Sequence, residues 1–183
     1  MDTRRFRFPG GPFRLLLCLV TLLGLGGAVA EGEDDGAAVQ AAMKGTWESV
    51  IMDLGDGVYI KTTMTYDGAG HSTDKVVFFS DAGGTSPTGL VKTNTSTYKI
   101  GKKIDLGEGE AAQAIDVVVV KWELKQGGSV VKSGGPLPPQ YDLFLIKDDT
   151  LYNSGLTRVK KGPILDPAAR PMTLDKTNLF KKQ

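Results

Sequence analysis

The chain carries one histidine, His71, and one cysteine, Cys18, and these counts restrict its chemistry at once. A serine nucleophile needs a base beside it, and His71 is the one ordinary candidate. No Gly-x-Ser-x-Gly elbow occurs to present such a serine. The spacings H-x-x-x-H and H-E-x-x-H are absent too, so a zinc site would have to combine His71 with carboxylates. His71 adjoins Asp67-Gly68-Ala69-Gly70 and reads as an exposed turn residue. Gly68-x-Gly70 and Gly107-x-Gly109 fall between strand-like runs, whereas a phosphate-binding glycine loop opens a helix. Asp105, Glu108, Glu110 and Asp116 cluster in sequence. Acids near turns are usually solvated, although the count alone leaves a two-carboxylate hydrolase open. The expectation is a protein with no catalytic residue, no metal and no cofactor.

The elements that would position any site are mostly strands. Glu31–Gly36 is acidic and reads as a disordered leader, and Ala37–Met43 is a short helix with Asp35 or Gly36 at its start. β-rich runs follow at Thr46–Met52, Val58–Tyr66, Ser72–Phe79, Gly89–Ile100, Ala112–Leu124, Val130–Val131, Tyr141–Ile146, Thr150–Tyr152 and Thr177–Lys182. Val58, Ile60, Met64 and Tyr66 alternate with Tyr59, Lys61, Thr63 and Thr65, as in a half-buried antiparallel strand. Asp56-Gly57 is a hairpin signal, because both residues tolerate positive φ. Gly101–Gly109 reads as turn-rich with room for a short strand around Ile104, and Gly155–Met172, with its three prolines, as irregular. With no helix long enough for parallel crossovers, the pattern predicts an all-β fold: an antiparallel up-and-down barrel of about eight strands, preceded by one helix. Residues 37–183 would form a single domain.

Gly45-Thr46-Trp47 begins the first strand. Glycine lets the chain turn in from the helix, and tryptophan closes the barrel end with roughly 200 Å² of apolar surface. A cation from the last strand, Lys181 or Lys182, would stack on the indole, with Arg170 as a substitute. This opening resembles the G-x-W motif of lipocalins and related calycin barrels. Further runs extend the resemblance: Gly45-Thr46-Trp47-Glu48-Ser49, Phe78-Phe79-Ser80-Asp81 with Thr85 and Pro87, and Ser96–Gly101 followed by Ile115-Asp116. Asp149–Tyr152 and Arg170–Asp175 add to it. Together they are similar to the domain of the APC-down-regulated-1 family and its single-domain bacterial relatives. The resemblance implies a lipocalin-like barrel with an apolar pocket for lipid. The chain departs from the family's animal members in having one domain, no anchor and no cysteine after Ser80-Asp81.

Residues 1–30 have the layout of a cleavable export signal. Arg4, Arg5, Arg7 and Arg14 precede the apolar run Leu15–Leu23, and Ala28-Val29-Ala30 offers a cleavage site. The run is shorter than the ~20 residues that span a bilayer, so no stable membrane anchor is expected after cleavage. Arg7 spoils a twin-arginine match, and Cys18 follows Leu17 rather than the small residue of a lipoprotein signal. Cleavage after Ala30 would give a secreted or periplasmic protein without a thiol. At that size a single core needs no disulfide staple. Of 22 basic residues four lie in the signal, and of 21 acidic ones only Asp2 does, leaving 18 against 20 and a balance of −2. That balance, without a basic stripe, argues against nucleic acid as a partner.

Binding is thus the expected role. A small apolar or lipid ligand would sit in the barrel, with Met64, Tyr66, Phe79, Tyr98, Trp122 and Phe144 as candidate lining and Gly45, Trp47 and Lys181 as the barrel-closing group. The alternative is an extracytoplasmic protein-interaction module with a solid core, meeting its partner through Gly155–Met172 or an exposed strand edge. Asn94-Thr95-Ser96 is in addition a glycosylation sequon in a eukaryotic setting.

Overall fold

Four two-residue turns set the hairpins of this protein. Asp56-Gly57, Glu108-Gly109, Gly127-Gly128 and Asp148-Asp149 all hold φ between 50° and 87°. Two successive positive φ values give the type I′ turn, whose twist matches that of the strands it joins. The structure, a computed structural model, describes residues 34–154 and 164–183. The expected export signal, the start of the leader and residues 155–163 of the irregular segment lie outside the described residues.

The helix α1 (Asp34–Met43) precedes the strands β1 (Gly45–Ser49), β2 (Met52–Gly55), β3 (Val58–Tyr66), β4 (His71–Phe79) and β5 (Pro87–Gly107). They continue as β6 (Glu110–Gln126), β7 (Ser129–Gly134), β8 (Gln140–Lys147), β9 (Thr150–Asn153) and β10 (Asp175–Lys182). All pair antiparallel, in the order β1-β10-β9-β8-β6-β5-β4-β3, and a β1–β3 pairing closes the ring. The result is the eight-stranded antiparallel barrel expected from the sequence. β2 and β7 lie off the ring, extending β3 and β6 beyond it at the end away from α1.

Three expectations need correction. The helix begins at Asp34, inside the segment read as a leader, because Asp34–Gly36 continue the turn of the alanine-rich stretch. Thr46–Met52 is not one strand: pairing lapses at Val50-Ile51, so β1 and β2 meet β3 separately. Of Gly101–Gly109 only Glu108-Gly109 is a turn, and the strand allowed around Ile104 is part of a longer one. β5 runs on to Gly107, and a register shift between Ile100 and Lys103 absorbs the glycine as a bulge. A Cβ on Gly101 would stand 3.1 Å from that of Ala114, so this residue permits close approach rather than a turn. In the irregular segment, Pro167–Ala169 forms a 3-10 turn capped by the Asp166 side chain.

The core lies under α1. Met43, Trp47, Met64, Tyr66, Tyr98, Ile115, Phe144, Leu151 and Phe180 form one buried cluster, with Val39, Ile100, Val117 and Ile146 packed on it. Trp47 is 0% exposed and donates its indole N–H to the Met43 carbonyl at 2.8 Å. Lys182 lies over the ring at 5.3 Å. Gly45 holds φ 129°, and a Cβ there would come within 3.2 Å of the Lys182 stem. The glycine, the indole and the last-strand cation are therefore one mutually fitted unit. The cation is Lys182 and not Lys181, whose ammonium instead donates to the Thr150 hydroxyl. Lys182 pairs with Trp47 in the β1–β10 ladder, and strand alternation turns its neighbour to the opposite face.

Candidate functional site

Strand register decides which predicted lining residues share the interior. Met64 pairs with Trp47 and Tyr66 with Ser72, so both point inward with the indole. Tyr98 joins them edge-on, its ring 5.2 Å from that of Tyr66 at 88°, and the Tyr66 hydroxyl donates to the Met64 sulfur at 3.6 Å. Burial pushes the Tyr98 phenol above its ordinary range. Phe144 completes the group from β8.

The remaining two stand elsewhere. Phe79 pairs with Tyr59 while Phe78 pairs with Ile60, so Phe79 faces away from Met64 and Tyr66. It is buried all the same: the Ser80–Ser86 loop folds back, so that a Cβ on Gly84 would stand 4.0 Å from the Phe79 ring and 2.5 Å from the Ile51 side chain. Asp81 holds that loop by accepting from the backbone N–H groups of Thr85 and Ser86, Thr85 foremost, which keeps its carboxyl below the ordinary value. The aromatic-Ser-Asp run is thus explained as a loop clamp. Trp122 is half-buried outside the cluster, where β6 pairs with β7. Lys132 lies 5.9 Å from its ring centre, and a Cβ on Gly134 would touch the indole at 3.0 Å.

An opening reaches the cluster beside α1. β6 and β8 pair from Gln113↔Phe144 to Val117↔Gln140, and the ladder stops short of Glu110–Ala112 and Leu145–Lys147. A crevice of about 270 Å³ occupies that lapse, lined by Val39, Ala42, Lys103, Ala112, Phe144 and Ile146 among others. Its walls are largely apolar, with one lysine at the side. Such a space suits an acyl tail or a small apolar molecule.

The same register turns inward a set of polar residues that the candidate lining did not include. Ser72, Asp74, Asn94 and Ser96 occupy the β4–β5 face that carries Tyr98. Ser96 is 1% exposed, and Asn94 Oδ1, Ser96 Oγ and Asn178 Oδ1 are buried with no hydrogen-bond partner in the structure. Alternation back from Tyr98 through Ser96 to Asn94 is the signal that could have found them. Asp142, also buried, accepts from the Ser154 hydroxyl and from the backbone N–H groups of Leu143 and Ser154.

His71 is exposed as expected, but it is the first residue of β4, paired with Thr97, rather than a turn residue. Its ring is largely exposed and meets Asp67 Oδ2 at 2.9 Å. Asp67 also accepts from the backbone N–H of His71 at 3.0 Å and of Ala69 at 2.6 Å. These donors, the His71 backbone first, lower its carboxyl from the ordinary 3.8 to about 2. A depressed carboxylate stabilises the fold fully above its unfolded value, and that contribution disappears as pH falls through the folded one. An NMR titration is therefore expected to place the Asp67 midpoint near 2. A midpoint at the ordinary value would show the turn to be unformed in solution.

Among the described residues no group of three or more His, Cys, Asp or Glu side chains is disposed to hold a metal ion, and no described helix is long and apolar enough to cross a membrane. No family model matches the chain, and no curated protein shows significant similarity to it. What stands is the architecture, an eight-stranded antiparallel closed barrel with one short helix across its end.

Proposed function

We propose that this protein is an exported, non-enzymatic binding protein that holds a small apolar or lipid ligand in its barrel, kin to lipocalin-like and APC-down-regulated-1 domains. The observation that carries the reading is the crevice beside α1, where apolar residues of the helix and of the parted β6 and β8 strands line a space that reaches Phe144. An acyl tail there would replace water against apolar surface at about 25 cal/mol per Å² buried. Lys103 at the wall would meet an acidic end. The supports for export are the basic head, apolar run and A-x-A site of residues 1–30.

Native mass spectrometry of the purified protein, followed by titration with a fluorescent fatty acid, tests this reading. The expected result is a stoichiometric adduct and saturable probe binding. Ala42 is exposed and lines the crevice, so Ala42→Trp should fill it and weaken the probe by roughly tenfold, equivalent to the ~1.4 kcal/mol that relates a decade of affinity to free energy. A bare protein that ignores the probe would overturn the reading.

A second reading, an interaction module, has its own support in β7. All six of its residues are exposed, and Val130 and Val131 are 53% and 58% exposed on a strand that, among the described residues, pairs only with β6. An open apolar edge of this kind can accept a strand from a partner protein.

A further inference from the structure

The inward face of β5, β6 and β7 beyond the closed ring carries chemistry opposite to that of the crevice. Three rows cross it in register. The deepest holds Ser72 and Ser96. Next come Asp74, Asn94, Trp122 and Gly134, and then Val76, Lys92, Leu124 and Lys132. Paired residues in an antiparallel ladder share a face, so these side chains look the same way as Tyr98 and Val117 inside the barrel.

Burial falls along this face. Ser96 is closed off, while Asn94, Trp122, Val76, Lys92 and Leu124 are half-buried despite pointing inward, so this end of the barrel opens to solvent. The charges are one-sided at the rim. Glu123 bridges Lys121 and Lys125 on the opposite face and so does not neutralise Lys92 or Lys132. One acid, Asp74, shares the inward face a row below, and it already has a partner. At the floor, Ser96 Oγ and Asn94 Oδ1 are buried and unsatisfied, an unfavourable state unless something bonds to them.

We infer that this face is a second binding site, for a small anion bearing hydroxyl groups, of the sugar-acid class. Lys92 and Lys132 take the anionic group at the rim. The half-buried Trp122 offers an indole for the apolar faces of the ring carbons, and Asn94 and Ser96 bond the hydroxyls at the floor. A purely apolar ligand would leave the floor unsatisfied, and a neutral polyol would leave the lysines unused. The site does not depend on the crevice beside α1, which lies at the other end of the barrel.

The test uses glucuronate, with glucose as the uncharged analogue and hexanoate as the anion without hydroxyls, followed by the two indole N–H signals in NMR spectra of the full chain. Glucuronate is expected to shift the Trp122 signal saturably, leave Trp47 unmoved, and bind at least tenfold more tightly than either analogue. Lys92→Met with Lys132→Met should abolish its advantage over glucose. Ser96→Ala and Asn94→Leu should abolish its advantage over hexanoate. Each of these variants is first checked for an unchanged Trp47 signal, which reports the intact barrel floor. Equal binding of glucuronate and hexanoate would mean charge alone and overturn the site, as would no shift at Trp122, which would leave buried water as the partner of the floor. Neither result bears on the fatty-acid titration, so the two readings fail separately.

Discussion

Trp47→Ala is expected to lower the stability of the barrel by roughly 3–5 kcal/mol, the range for a large aromatic removed from a packed core. Its indole is 0% exposed and faces Met64 across the β1–β3 pair. Truncation opens a cavity in the middle of the cluster and strands the Met43 carbonyl, which receives the indole N–H. It also strips Lys182 of the ring beneath it. Urea unfolding of the variant beside the parent measures the loss. Trp47→Phe separates the contributions, since it retains most of the apolar contact but not the hydrogen bond, and should fall between the two. A loss below about 1 kcal/mol for alanine would contradict a floor built on this residue.

The second large effect is expected at Arg170. Its guanidinium donates to the main-chain carbonyls of Ile115, at 2.9 Å, and of Asp142, pairs with the Asp116 carboxylate, and lies 5.4 Å from the Tyr141 ring. It therefore fastens the segment after the 3-10 turn across the β6–β8 ladder. Arg170→Ala leaves two carbonyls without their donor in a part-buried place, and a charged donor's bond contributes about 1.5–3 kcal/mol. A total loss of roughly 2–4 kcal/mol is expected. Arg170→Lys keeps the charge but has no planar fork to reach both carbonyls and the carboxylate, so it should restore less than half. Asp116→Asn should cost far less, because that carboxylate is 41% exposed and its pairing is screened. If Arg170→Lys behaved as the parent, charge rather than the fork would be the fastening.

Much of this architecture was legible in the residues. Two-residue turns such as Asp56-Gly57 announced hairpins, and the alternation from Val58 to Tyr66 announced which side of β3 is buried. The end of β5 was hidden because Gly101, a bulge residue, has the same local signature as a turn residue. Phe79 was misplaced for a related reason. Phe78 and Phe79 are equally apolar neighbours, and only pairing with Ile60 and Tyr59 says which one turns inward. A parity error of one residue likewise separates Lys181 from Lys182. Arg170 was offered to the wrong ring, since nothing in sequence connects it to Tyr141 or to two carbonyls that lie 55 and 28 residues away. The polar inward row went unnoticed because serine and asparagine in a threonine-rich strand look like solvent-facing residues.

The pairing of β1 with β10 has a kinetic meaning. Every other contact in the ring except β1–β3 and β6–β8 joins strands next to each other in sequence, so most of the barrel can assemble from local hairpins. The exception joins Trp47 to Lys182, across almost the full length of the described chain. Closing so long a loop is entropically costly and belongs late in folding. The aromatic floor is therefore finished only when residues synthesised long after Trp47 arrive to cover it. A chain cut short before Phe180 could still form its hairpins, yet it would present an open seam and an uncovered indole, the kind of exposed edge that quality-control proteases and aggregation partners recognise.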